Sequence, residues 1–161
     1  LGGLGHMAVK LAVAQRADVT VLTTTPGKIA VARAMGASAA YLWQDAQARP
    51  ELRNRFDLII STVPYAFEAE PFMQMLKLDS TFVNVGLGEA RGINPAAMAF
   101  GRKSLAGSMI GGIAETQEVI DHCFARKIYP DVEVIRPGQI DAAYQRVVGK
   151  DVRFRFVIDF T

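Results

Sequence analysis

The sequence predicts an α/β fold, a doubly wound parallel sheet with helices on both faces, and three observations carry that prediction. Short runs rich in β-branched and apolar residues alternate with helix-patterned segments over most of the chain, which is the rhythm of βα units with right-handed crossovers. One run, Phe56 to Val63, is almost continuously apolar, as parallel strands covered on both faces are. The chain also opens on Leu1-Gly2-Gly3-Leu4-Gly5-His6, a glycine-rich turn running straight into an apolar helix pattern.

Taken in order, the first helix is expected from Gly5 to Arg16, apolar on nearly every side, packed on a sheet and beneath another layer. Asp18 turns the chain into a strand, Val19 to Leu22, rich in β-branched residues. Thr25 then offers an N-cap, Pro26 suits a first helical turn, and Gly36 after Met35 is a stop signal. Ala39 to Leu42 is a weaker strand, and Gln44 to Arg53 a polar surface helix that Pro50 cuts short. After Phe56 to Val63, ended by Pro64, a helix is expected from Phe67 to Leu78 and a strand from Thr81 to Gly86. A short helix, Pro95 to Phe100, leads to the last parallel strand, Ser104 to Ile110. The helix Glu115 to Lys127 is expected to bury Val119, Ile120, Cys123 and Phe124, with acids in its first turn and bases in its last, matching its dipole. Beyond it the rhythm breaks. Val132 to Ile135 is a strand, Ile140, Ala143, Tyr144, Val147 and Val148 fall at helical spacing, and Val152, Phe154, Phe156 and Ile158 alternate in a closing strand.

Composition narrows the function. The 161 residues allow one domain with a real core, and half of them are hydrophobic. A net charge of +2, with scattered Lys and Arg, makes no nucleic-acid or membrane-surface footprint. The single cysteine, Cys123, can form neither an internal disulfide nor a multi-cysteine zinc site, and it suits a reducing cytoplasm. No membrane span or signal peptide is visible, because Lys10 interrupts the apolar run after Gly5 and Gln15-Arg16 ends it.

The opening turn fits part of a dinucleotide fingerprint, G-x-G-x-x-G, with Gly2 and Gly5 as its second and third glycines and the first falling before Leu1. Gly2 lets backbone approach a pyrophosphate, Gly5 lets the helix pack closely on its strand, and the helix N-terminus supplies free N–H groups. A Rossmann-type sheet is expected, lacking its first strand. That strand would precede Leu1 and lie centrally in the order 3-2-1-4-5-6, between the strands at Val19 and Phe56; without it, weak or no NADP binding by these residues alone is expected. His6 is expected to face solvent or partner the backbone rather than act as a base. About twenty residues past the glycines a carboxylate ordinarily binds the adenosine ribose. Thr23, Thr24 and Thr25 stand there instead, and with Lys28 they supply donors for a 2′-phosphate, favouring NADP over NAD. The alternative is a threonine-rich turn with a solvent-facing lysine.

LGGLGHMAVK, VTVLTTTPGK, IISTVP, VNVGLG, GRKSLAGSMIGGIAETQEVIDHC and DVRFRFVID together closely resemble the C-terminal half of the zinc-dependent medium-chain alcohol dehydrogenases. Within these the chain is similar to the cinnamyl alcohol dehydrogenase group and its bacterial NADPH-dependent aldehyde reductases. The resemblance implies a dinucleotide-binding domain over residues 1–128 and a C-terminal segment, 129–161, that packs with an adjoining catalytic domain. It implies pyrophosphate contacts at Gly2, Gly3, Leu4 and Gly5, and a 2′-phosphate end at Thr23, Thr24, Thr25 and Lys28. Thr62, Gly86, Ser108, Met109 and Ile110 would take the remainder of NADP towards the nicotinamide. It further implies hydride transfer between NADPH and a small-molecule aldehyde or alcohol, and a homodimer formed through the edge strand near Ser104 to Ile110. The family's zinc ligands lie upstream of the fingerprint, so neither catalytic nor metal residues are expected in this chain, and His6, His122 and Cys123 do not replace them. A different class of function, a non-catalytic nucleotide-binding or dimerisation module, also suits a chain without those ligands.

Overall fold

The computed structural model describes residues 1–149 and 151–161. In chain order the elements are α1 (Gly3–Ala14), β1 (Thr20–Thr23), α2 (Gly27–Ala34), β2 (Ala39–Leu42), α3 (Trp43–Gln47), a 3₁₀ turn (Pro50–Leu52), β3 (Phe56–Ser61), β4 (Phe67–Glu68), α4 (Glu70–Met75), β5 (Leu76–Asn84), β6 (Ala90–Arg91), α5 (Pro95–Gly101), β7 (Ser104–Gly107), α6 (Ile113–Arg126), β8 (Val132–Ile135), a second 3₁₀ turn (Pro137–Gln139), α7 (Ile140–Val148) and β9 (Arg155–Ile158). The chain forms two compact units. The first holds Leu1–Val21, Gly27–Ala40 and Ile113–Thr161, the second Leu22–Pro26 and Tyr41–Gly112.

The predicted α/β class holds, with parallel pairing in the three-stranded sheet β3-β5-β7 and in the pairs β4-β6 and β8-β9. β1 and β2 form a separate two-stranded sheet. Among the described residues no strand pairs with both β1 and β3, so each keeps one unpaired edge.

In the first unit, Val9 of α1 meets Val21, Ala32, Ala37 and Ala40, with Val13 and Ile29 packed beside them. Gly36 ends α2 with φ at 97°, a left-handed conformation that favours glycine, and a Cβ there would come within 2.9 Å of Val13 Cγ1. The expected stop is therefore doubly enforced. In the second unit, Phe82 is fully buried at the centre of the sheet, a burial worth about 1.5–3 kcal/mol. Around it Phe67 and Phe72 meet edge to face at 5.8 Å, and Trp43 stacks on Phe72 at 4.1 Å.

Several expectations need correction. The helix predicted from Phe67 to Leu78 is only Glu70–Met75, because Leu76 turns extended and β5 begins there, paired with Phe56. Asp79, with φ at 59°, lies where the register shifts, and the strand resumes at Thr81 opposite Leu58. The surface helix Gln44 to Arg53 is split into α3 and a 3₁₀ turn that starts at Pro50. β3 is not covered on both faces: Leu58 and Ile60 are exposed, while Ile59 and Ser61 face inwards. The last parallel strand stops at Gly107 rather than Ile110, after which Ser108 N–H still donates to Asn84 O at 3.2 Å. α6 leaves Val119, Ile120 and Phe124 exposed and Cys123 only half-buried. It docks through another face, where His122 meets Gln15 at 3.3 Å and Arg126 donates to Ala14 O at 3.1 Å, at the C-terminal end of α1. α7 likewise buries Ala143 but not Ile140, Tyr144, Val147 or Val148. Its anchor is Arg146, which makes a bidentate pair with Glu133 at 2.8 and 3.0 Å.

Candidate functional site

The predicted site residues divide between the two units: Gly2–Gly5 and Lys28 lie in the first, and Thr23–Thr25, Thr62, Gly86 and Ser108–Ile110 in the second.

In the first unit the glycine turn forms the N-terminus of α1. Gly2 is the extended N-cap, with no side-chain cap and no acid in the first turn. The first intrahelical bond runs from His6 N–H to Gly2 O at 3.0 Å, so the N–H groups of Gly3, Leu4 and Gly5 have no helical acceptor. They form the positive end of the helix dipole. A Cβ on Gly2 would meet open space. On Gly3 it would overlap the guanidinium of Arg155, at the start of β9. The Arg155 side chain is exposed and, among the described residues, makes no hydrogen bond or ion pair. Three free N–H donors and an unpaired guanidinium thus gather at one turn, an arrangement that suits a dianionic group.

His6 is fully buried and stacks on Phe154 with ring centroids 4.6 Å apart. Its Nδ1 lies 3.2 Å from Gly2 O, while Nε2 is buried without a partner among the described residues. The expected backbone partnership is therefore present, and the stack places Phe154, next to Arg155, beneath the turn. Lys28 is half-buried, and its ammonium donates to Leu1 O at 2.5 Å. It sits at the glycine turn in this structure rather than projecting into solvent.

In the second unit Thr23 is buried at the end of β1, and its Oγ1 accepts from Thr25 N–H at 3.3 Å. Thr24 and Thr25 are exposed beyond it. The turn carries no carboxylate. At the carboxyl ends of β3 and β5, where ligands bind in open α/β sheets, two loops lock together. Val85 and Gly86 N–H both donate to Ser61 O, at 2.9 and 3.1 Å, and Gly88 N–H donates to Val63 O at 3.2 Å. A Cβ on Gly86 would overlap Val63 O, and one on Gly88 would overlap Tyr65 O. Thr62 lies in this junction. Ser108, Met109 and Ile110 follow β7 as exposed chain outside regular secondary structure.

Sequence reasoning missed Arg155 and Asn84. Arg155 alternates with apolar neighbours in a strand and reads as a solvated position, and no spacing ties it to Gly3. Asn84 precedes the glycines of the β5 loop, a signal only if side-chain closure of that loop is considered. Among the described residues no group of three or more His, Cys, Asp or Glu gathers to hold a metal ion.

The family described as zinc-binding dehydrogenase matches residues 3–125. The chain belongs to that family. An NADP-dependent alcohol dehydrogenase C of Mycolicibacterium smegmatis is 46% identical to this chain over 160 residues, covering 99% of the chain and 46% of the relative. The chain thus spans about half the length of the curated relatives it matches. Among solved structures, a cinnamyl alcohol dehydrogenase from Sorghum bicolor superposes with a TM-score of 0.89 at 37% identity, over 99% of this chain and 46% of that one. A cinnamyl alcohol dehydrogenase from Helicobacter pylori, complexed with NADP(H), gives 0.85 at 34% identity over 98% and 45%. The Rossmann-type fold and the resemblance stated from sequence are both borne out.

Proposed function

We propose that this chain is the coenzyme-binding portion of an NADP(H)-dependent alcohol dehydrogenase or aldehyde reductase that transfers hydride between NADPH and a small aldehyde. The observation that carries the proposal is the glycine turn at the N-terminus of α1, with its uncapped N–H groups and the unpaired guanidinium of Arg155 above Gly3. Gly2, Gly3, Leu4, Gly5 and Arg155 would hold the pyrophosphate. Thr23, Thr24, Thr25 and Lys28 would hold the 2′-phosphate end, supported by the missing carboxylate at that turn and by the NADP dependence named for the M. smegmatis relative. Thr62, Gly86 and Ser108–Ile110 would line the nicotinamide end.

Bound NADPH would supply the hydride. This chain's residues bind and orient that donor. On this proposal residues 1–128 form the coenzyme domain, and 129–161 pack with a catalytic domain while contributing Arg155 to the turn. Two copies would pair along β7, whose four residues are all exposed at the edge of the three-stranded sheet.

The test is titration of the intact protein with NADPH and NADH, followed by aldehyde-dependent oxidation of each. Tighter NADPH binding and turnover with an aldehyde are expected. Absence of NADPH binding would refute the proposal.

A further inference from the structure

We propose that Asn84 is a positioning residue for the nicotinamide end of the cofactor; this rests on the coenzyme-binding function proposed above. Asn84 is the last residue of β5, the central strand of the sheet β3-β5-β7. Its backbone is fixed on the β7 side, where Ser108 N–H donates to its carbonyl at 3.2 Å. On the β3 side it pairs in register with Ser61. Its side chain does something different. The Nδ2 amide donates to Gly88 O at 3.0 Å, closing the loop 85–88 back on the strand end.

That loop has little else to hold its tip. Its N–H groups at Val85, Gly86 and Gly88 are spent on Ser61 and Val63. Gly86 and Gly88 lie so close to the β3 loop that neither has room for a side chain, and Leu87 between them is 81% exposed. The Asn84 amide is therefore a side-chain clamp on this loop. Its Oδ1 is buried without a hydrogen-bond partner among the described residues. A buried amide oxygen left unpaired is costly, so an apolar side chain would be favoured here unless the Nδ2 donor mattered. The loop lies at the carboxyl end of the sheet β3-β5-β7, and a dinucleotide fold binds one nucleotide on each of its two βαβαβ halves. The first half carries the turn at Thr23–Thr25. The clamp consequently acts on the other nucleotide, whose ring must be held at a fixed angle for hydride transfer.

Two substitutions in the intact protein separate positioning from packing. Asn84→Asp keeps the shape but turns the donor into an oxygen facing Gly88 O. Asn84→Ala only deletes the clamp. Positioning predicts a fall in kcat for NADPH-dependent aldehyde reduction of about tenfold for Asn84→Ala and a larger fall for Asn84→Asp. Affinity for adenosine 2′,5′-bisphosphate, which occupies only the other half, should stay unchanged in both. An Asn84→Asp variant milder than Asn84→Ala would make the residue a space filler and overturn the inference. So would equal loss of NADPH and adenosine 2′,5′-bisphosphate affinity accompanied by a lowered melting temperature, which marks a structural role alone. Unaltered protein that binds NADPH, with both variants matching it in kcat, refutes the role of Asn84 and leaves the cofactor assignment standing. Unaltered protein that does not bind NADPH refutes the cofactor assignment, and this inference with it.

Discussion

Alanine at Gly86 and alanine at Gly3 should have opposite outcomes, although in both cases a Cβ would overlap atoms already in place. At Gly86 the obstacle is backbone: Val63 O, with Val63 C at 2.8 Å and Thr62 C at 2.9 Å from the added carbon. Those atoms are held by the bonds from Val85 and Gly86 N–H to Ser61 O and from Gly88 N–H to Val63 O. The methyl fits only if the paired loops separate. Forcing a methyl into packed structure costs about 1–3 kcal/mol. At Gly3 the obstacle is the far end of the exposed Arg155 side chain, which can swing into water at a cost of under about 0.5 kcal/mol, in the range of ordinary surface changes. Urea unfolding of the intact protein tests this. With a slope of about 2 kcal/mol/M, a loss of about 2 kcal/mol lowers the midpoint by about 1 M. Gly86→Ala should show that drop with an unchanged slope, and Gly3→Ala should not. Gly27→Ala is the control, because nothing lies within 4 Å of its added carbon and alanine is the better helix former. A Gly86→Ala midpoint equal to that of the unaltered protein, or a Gly3→Ala drop as large as that of Gly86→Ala, would refute the distinction between a rigid and a yielding neighbour.

Arg155→Ala should weaken NADPH and NADH alike, by about tenfold to a hundredfold, since a charge-assisted contact of about 1.5–3 kcal/mol would be lost with either pyrophosphate; isothermal titration reads both constants. Lys28→Ala should instead weaken NADPH more than NADH by a similar factor, and Thr23→Asp should move preference towards NADH. Equal losses for the two cofactors in Lys28→Ala would remove the 2′-phosphate assignment. The pairing of Glu133 with Arg146, and then the N–H of Arg153, hold the Glu133 carboxyl below its ordinary range. Its folded pKa is lower than its unfolded one, so its stabilisation is present above the unfolded value and disappears as pH falls through the folded value. The protection of β8 and β9 amides, taken relative to their intrinsic exchange at each pH, should therefore fall on acidification below about pH 4, and Glu133→Gln should remove that acid-side change.

How far the fold was legible in the sequence depended on whether a local signal decided the outcome. Gly36 needs a left-handed backbone, Pro50 breaks a helix, and Asn94 caps α5 by accepting from Ala96 and Ala97 N–H at 3.0 and 3.2 Å. Such features act within a few residues: the stop near Gly36 fell where expected, while the helix ahead of Pro50 ended sooner, at Gln47. Leu76 and Leu78 carried two compatible patterns, one continuing a helix from Met73 and Met75 and one alternating as a strand. The tertiary pairing of Leu76 with Phe56 decided for the strand, and no local residue announces that partner.

The same limit governs the site. The glycine turn and the threonine loop are contiguous stretches whose chemistry can be read from residue type and spacing, so they were visible. The apolar seams of α6 and α7 were equally visible, but periodicity states only that a helix has an apolar face. Which face is anchored was set by Arg126 reaching Ala14 O and by Arg146 reaching Glu133, long polar side chains whose targets lie in other elements. Arg155 belongs to this second class. Its chain neighbour Phe154 is buried against His6, the residue that follows the fingerprint glycines. That stack, rather than any feature of Arg155 itself, brings the start of β9 to the glycine turn. An anion-binding residue can thus be positioned by an aromatic contact one residue away, and the Arg155→Ala titration separates it from an idle surface charge.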